Sequence, residues 1–278
     1  MTPKYTNVHN RFKINGTYLN REGLFQFGYD CIKEGEAYEK EMGLFILDWI
    51  DEKETIDLMT SGTTGIPKLI TLQKQAMVHS AIATADFFDL RPGDTALHCL
   101  PTKYIAGKMM LVRAIVIGLE LDIVAPTSHI EISSAKKYDF GAFVPLQAQG
   151  SLSKLNQFKK IIIGGAKLDA TLIEKFKDCS AAIYETYGMT ETITHIAAKQ
   201  IGAACFKILP NIQISKDERG CLVIQAPNIT EETIVTNDLV EVFKDKEQIQ
   251  RKYIQMVKEA GHSLYTFNKG PYVCDTSG

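Results

Sequence analysis

The chain has 278 residues, of which 45% are hydrophobic and 23% charged, and a formal net charge of -2. Such a composition suits a soluble globular protein of one large domain or two modest ones. A near-neutral charge without a basic stripe argues against nucleic acid as a partner.

Residues 1–43 mix short aromatic segments with Gly, Asn and Lys, and read as a short N-terminal extension. Their start, MTPKYTNVHNRFKINGTYLN, is too polar for a secretory signal. Residues 44–54 predict a short helix, and residues 68–72 a strand. The next run places Met77, Ser80, Ala81, Thr84, Ala85 and Phe88 on one helical face. Arg91-Pro92-Gly93-Asp94 stops that helix. Strands are expected at 95–100, 121–125, 139–144, 160–163 and 181–184, with helices at 105–118, 151–158 and 168–176.

Short strands alternating with helices predict a mostly parallel sheet covered by helices, an α/β core over residues 44–200. Ligands in such folds sit beyond the carboxyl ends of the strands, which singles out 60–68, 164–167 and 185–191. Short strands at 205–208, 211–215, 221–225 and 234–243 predict a small β-rich portion over 201–243, with a charged turn at 216–220. The apolar stretch 109–121 is broken by Arg113 and Glu120, so no membrane insertion is expected. Six cysteines lie far apart without zinc or redox spacing, and read as reduced thiols in a cytoplasmic protein.

The densest chemistry lies in LMTSGTTGIPKLI, residues 58–70. Gly62 and Gly65 allow close backbone approach, and Pro67 stiffens the exit. Backbone N–H groups, the hydroxyls of Ser61, Thr63 and Thr64, and the Lys68 ammonium together suit a polyphosphate. The order is neither that of a Walker loop nor that of the dinucleotide fingerprint.

This segment resembles the phosphate-binding signature of the acyl- and aryl-CoA synthetases, the adenylate-forming ligases. HCLPTKYIAGKMMLVRA, ending at Ala114, and YETYGMTETITHIA, from Tyr184 to Ala197, carry the same resemblance. Within the family, residues 58–126 most resemble the o-succinylbenzoate–CoA ligases of menaquinone synthesis. The resemblance implies ATP, Mg²⁺ and CoA, with a small aromatic or acyl carboxylate as the acid. It implies that Ser61, Gly62, Thr63, Thr64, Gly65 and Lys68 hold the phosphates. Gly164, Gly165 and Ala166 would line the adenine pocket, with Tyr187 and Gly188 beside it. Thr190 would bond the α-phosphate, Glu191 would hold Mg²⁺, and Asp238 would hold the ribose. Lys68, Thr190 and Glu191 would be the catalytic groups.

The acid is expected at the helix start bearing Lys103, Tyr104, Gly107 and Lys108, with Tyr104 where many relatives have His. Either lysine could instead be solvated, and His195 could contact the acid or be structural on a helix after the Thr-Glu pair. The resemblance covers roughly residues 44–243. Residues 244–278 read as an atypical tail in place of the family's hinge and small C-terminal domain; Ile249, Tyr253, Met256, Val257 and Ala260 form an apolar helical stripe there.

Three activities follow: an o-succinylbenzoate–CoA ligase impaired by truncation, another acyl- or aryl-CoA ligase such as a phenylacetate-type enzyme, or a noncatalytic nucleotide- or acyl-binding remnant. A homodimer is left open.

Overall fold

The computed structural model describes residues 2–60, 68–244 and 252–256. Its elements are, in order, β1 (Lys13–Ile14), β2 (Thr17–Tyr18), α1 (Arg21–Glu34), α2 (Ala37–Ile50), β3 (Thr55–Thr60), β4 (Lys68–Gln73) and α3 (Lys74–Phe88). Then come β5 (Thr95–His98), α4 (Ile105–Ile117), β6 (Glu120–Ile123), β7 (Tyr138–Phe143), α5 (Pro145–Gly150), α6 (Leu152–Leu155), β8 (Phe158–Ile163), α7 (Ala170–Phe176) and β9 (Ala182–Gly188). A 3₁₀ turn (Thr190–Thr192) leads to β10 (His195–Gln200), β11 (Phe206–Ile208), β12 (Gln213–Lys216), β13 (Cys221–Gln225), β14 (Ile234–Lys244) and β15 (Lys252–Met256).

Thirteen of the described strands form one sheet, in the order β12-β13-β14-β15-β11-β10-β9-β8-β7-β5-β6-β1-β2. From β9 to β1 every pairing is parallel, whereas from β9 towards β12 every pairing is antiparallel. The parallel half explains itself in β8: Ile162 packs with α3 and α4 on one face, while Ile161 and Ile163 pack with α5 to α7 on the other. A strand buried on both faces needs apolar residues at successive positions, each worth about 1.5–3 kcal/mol of burial. Tyr187, Ile196, Phe206, Leu222, Ile224 and Val240 form a third core beneath the antiparallel half. The β3–β4 hairpin stands as a separate two-stranded sheet.

Several sequence expectations change. The helix placed at 44–54 runs from Ala37 to Ile50, because Glu39 Oε2 accepts a 2.7 Å bond from the Glu36 amide and starts it about two turns earlier. Residues 1–43 hold α1, capped by Asn20 on the Gly23 amide. The helix placed at 151–158 begins instead at Pro145, a proline being well suited to the first helical position, and it gives way to β8 at Phe158. His195 lies on strand β10, not on a helix, since its segment hydrogen-bonds alongside β9.

In the 244–278 segment, residues 252–256 form β15 between β14 and β11, so strand pairing overrides the helical stripe there; Ile249, Val257 and Ala260 lie outside the described residues. Cys31, Cys99, Cys179 and Cys221 are free thiols, whereas Cys205 is disulfide-bonded, against the all-thiol expectation. Among the described residues no helix is long and apolar enough to cross a membrane.

Candidate active site

Strands β5, β7, β8 and β9 run parallel and end at His98, Phe143, Ile163 and Gly188. Cross-strand pairing aligns Leu97 with Gly141, Phe143 with Ile163, and Ile163 with Glu185. The segments that follow therefore open on one edge of the sheet, where crossovers leave a crevice. Three predicted groups share it: Lys103 and Tyr104 after β5, Gly164 to Ala166 after β8, and Gly188 to Glu191 at the end of β9. Residues 61–67, the expected phosphate loop, lie outside the described residues, as does the side chain of Lys68; the backbone of Lys68 opens β4.

Strand β9 extends past the predicted 181–184, so Tyr187 is a strand residue rather than a loop residue. Its ring is 2% exposed and packs edge-on towards Phe206, enclosed rather than open for stacking. Its hydroxyl donates a 2.6 Å hydrogen bond to Asp238 Oδ2. Asp238 reaches that position through a bulge: the step from Cys221 to Val223 on β13 spans Leu239 to Val235 on β14. Thr236 Oγ1 accepts from the Asp238 amide and donates to Leu222 O, which fixes the bulge. Thr186 Oγ1 donates to Ile163 O, tying β9 to the strand that leads into Gly164. Behind the same strand, Glu185 and Lys199 form a buried ion pair at 2.9 Å.

Beyond Gly188 the chain folds back so closely that a Cβ there would collide with Thr194 O. Thr192 Oγ1 accepts from the Met189 amide at 2.9 Å and closes the turn that carries Thr190 and half-buried Glu191. Ile193 exits this turn at φ 65°, a left-handed conformation that a β-branched residue adopts only under constraint. Its buried side chain supplies the constraint. Among the described residues no group of three or more His, Cys, Asp or Glu side chains could hold a metal. A single carboxylate such as Glu191 suits Mg²⁺ that arrives with substrate phosphates, because that ion takes one or two protein carboxylates and fills the rest with phosphate and water.

His195 is buried, its Nε2 3.4 Å from Thr84 Oγ1 and its Nδ1 3.3 Å from Thr194 Oγ1. Burial, then the nearby Arg113 charge, holds its pKa well below the ordinary value, so the ring is neutral. Tyr104 is 56% exposed with the Lys103 ammonium 5.1 Å from its ring centroid. Lys108 turns elsewhere: its ammonium sits 4.6 Å from the centre of the Phe45 ring of α2, and burial lowers its pKa against the pull of Asp48 and Glu41. Gly107 is a packing residue, since a Cβ would strike Pro101 O.

One group escaped the motif reading. Arg113 of α4 is 1% exposed, and no carboxylate lies within ion-pair distance of it among the described residues. Its guanidinium donates to Thr194 Oγ1 at 3.2 Å, its Nε has no partner among the described residues, and burial lowers its pKa to about 10. Arg113 lies inside the quoted HCLPTKYIAGKMMLVRA segment, on a helix that also carries Lys108, and reads in sequence only as a break in an apolar stretch. A cleft of about 600 Å³ beside α3, lined by Phe87, Tyr184, Gln200, Lys207, Leu209 and Ile212, contains none of the predicted site residues.

The model of the AMP-binding enzymes matches residues 57–223. A 2-succinylbenzoate–CoA ligase of Geobacillus sp. (strain WCH70) is 28% identical over 204 residues, covering 65% of this chain and 41% of that protein. One of Staphylococcus aureus (strain MSSA476) is 28% identical over 207 residues, covering 68% and 42%. The chain thus spans about two fifths of the length of these curated relatives.

Among solved structures, an acyl-CoA synthetase (AMP-forming)/AMP-acid ligase II-like protein from Dyadobacter fermentans is 33% identical with a TM-score of 0.72, covering 81% of this chain and 65% of that one. Unliganded o-succinylbenzoate coenzyme A synthetase from Bacillus subtilis is 13% identical with a TM-score of 0.67, covering 91% and 77%, and shares the fold. A family match over more than half the chain identifies this chain as a member of the AMP-binding enzymes.

Proposed function

We propose that the chain takes part in ATP-dependent activation of a carboxylic acid to an acyl-adenylate, with transfer of the acyl group to CoA, and that the acid is o-succinylbenzoate. The carrying observation is Thr194. Three residues past Glu191, it accepts a bond from a buried guanidinium without a carboxylate partner among the described residues. A buried cation of this kind favours an anionic ligand strongly, because the surrounding dielectric is low. An acid with two carboxylates would offer one oxygen to the α-phosphorus and a second anion to Arg113. The curated relatives bearing the name 2-succinylbenzoate–CoA ligase support that choice of acid.

In this reading Ser61, Gly62, Thr63, Thr64, Gly65 and Lys68 hold the β- and γ-phosphates, and Gly164, Gly165 and Ala166 border the adenine. Tyr187 and Asp238 serve the nucleoside. Thr190 bonds the α-phosphate, and Glu191 would hold Mg²⁺, whose chemistry is to offset charge on the departing pyrophosphate. Lys103 and Tyr104 stand at the acid's entrance. Chain groups align the reactants and stabilise charge, and no protein nucleophile is required. His195, neutral and enclosed, shapes the acid pocket without moving a proton.

A second reading is nucleotide binding without acid activation. ATP–pyrophosphate exchange by the full chain, across a panel of acids including o-succinylbenzoate and phenylacetate, separates the two. Exchange dependent on o-succinylbenzoate is expected. ATP binding without exchange for any acid would favour the second reading, and absence of both would remove the nucleotide site altogether.

A further inference from the structure

The acid's entrance is held by a residue that touches neither Lys103 nor Tyr104. Gln147, at the third position of α5, is 4% exposed. Its Nε2 donates to Cys99 O at 2.6 Å and to Thr127 O at 3.2 Å, and its Oε1 accepts from the Val144 amide at 3.2 Å. One carboxamide therefore spans the segments that leave β5, β6 and β7. Both donor hydrogens meet carbonyls and the acceptor meets an amide, so a flipped carboxamide would set oxygen against oxygen.

Two neighbouring contacts carry the constraint onward from Cys99. The Cys99 thiol donates to Ala142 O at 3.5 Å, and His98 Nε2 lies 3.1 Å from Thr102 Oγ1. The Tyr104 amide bonds Pro101 O, and α4 begins at once with Gly107 pressed against that same carbonyl. Thr102 is buried, so Lys103 and Tyr104 project from a short bridge anchored on both sides.

We propose that Gln147 is a positioning residue for the acid: it sets the 99–104 segment against the sheet edge and thereby governs acid affinity, without contact to substrate or nucleotide. The proposal rests on the acid-activating reading above. Its geometric basis is independent of that reading. No other side chain type supplies two donors and one acceptor at this reach, since Glu would oppose two carbonyls with a carboxylate and Met would leave both unmet.

The test pairs pyrophosphate-exchange kinetics with amide hydrogen exchange on the full chain, in Gln147→Met and Gln147→Glu. The expected result is a KM for o-succinylbenzoate raised at least tenfold in Gln147→Met, and further in Gln147→Glu at pH 8, with the KM for ATP within twofold of wild type. Amides of residues 99–107 and 125–129 should exchange at least tenfold faster, while those of β8 and β9 keep their rates. Equal changes in both KM values, or unchanged exchange at 99–107, would overturn the positioning role. Wild-type chain that exchanges pyrophosphate with no acid would sink the functional reading instead, and the hydrogen-exchange pattern would still decide whether the clamp exists.

Discussion

The Tyr187 hydroxyl and the Asp238 carboxylate, 51 residues apart in sequence, meet at 2.6 Å in a buried contact. The bond joins the end of the last parallel strand to a bulge on β14, so two residues predicted separately to serve a nucleoside occupy one place. Asp238→Ala should weaken AMP binding at least tenfold in calorimetry, whereas Tyr187→Phe should weaken it no more than threefold. Tyr187→Phe should nevertheless lower unfolding stability by about 1–3 kcal/mol, since it strips a donor from a buried carboxylate. Equal losses of affinity in both variants would count against Asp238 as the ribose ligand.

Arg113 offers a cleaner separation of stability from binding. Among the described residues Arg113 has no charged partner, and such a buried cation costs folding free energy, so Arg113→Met should leave the thermal midpoint of the ligand-free protein unchanged or raise it. The same variant should lose at least tenfold in o-succinylbenzoate affinity and keep its affinity for ATP. A large fall in the ligand-free midpoint would show that the guanidinium is structural.

The pH dependence of stability follows from His98. Burial lowers its pKa from an ordinary 6.5 to about 4 in the folded chain. Between those values the unfolded chain binds the proton and the folded chain does not, so stability falls as pH drops from 6.5 towards 4. The loss from this group reaches about 3 kcal/mol at the lower end. His195 is shifted in the same direction. His98→Gln should flatten the profile measured by denaturant unfolding across that range, and an unchanged slope would exclude His98 as its source.

Two glycines are held by contact rather than by turn conformation. Gly188→Ala and Gly107→Ala should each cost about 1–3 kcal/mol in chemical unfolding, because the added methyl meets the carbonyl of Thr194 or of Pro101 and the backbone must shift. Gly188→Ala should also displace the Glu191 turn and reduce Mg²⁺-dependent ATP binding. Unaltered binding would separate that turn from the metal.

Composition and local pattern were enough for the alternating core, because period and burial are local properties. The small-residue face of α3 and the all-apolar β8 could be read directly, as could the motifs around Lys68, Thr190 and Asp238. What they could not disclose was strand partnership. A segment such as 252–256 carries helical spacing, yet edge pairing with β14 and β11 makes it a strand. Likewise His195 looks helical in isolation and becomes a strand residue beside β9.

The site divides in the same way. Sequence determined which groups the chain carries: hydroxyls and a lysine suited to phosphate, a carboxylate suited to Mg²⁺, glycines where chains must approach. Tertiary structure alone decided that Tyr187 is enclosed against Asp238, that Lys108 faces Phe45, that Arg113 is buried against Thr194, and that Gln147 spans three segments. Charge and hydrogen-bonding capacity are written in a residue's type, but burial and the choice of partner arise only when distant segments pack together.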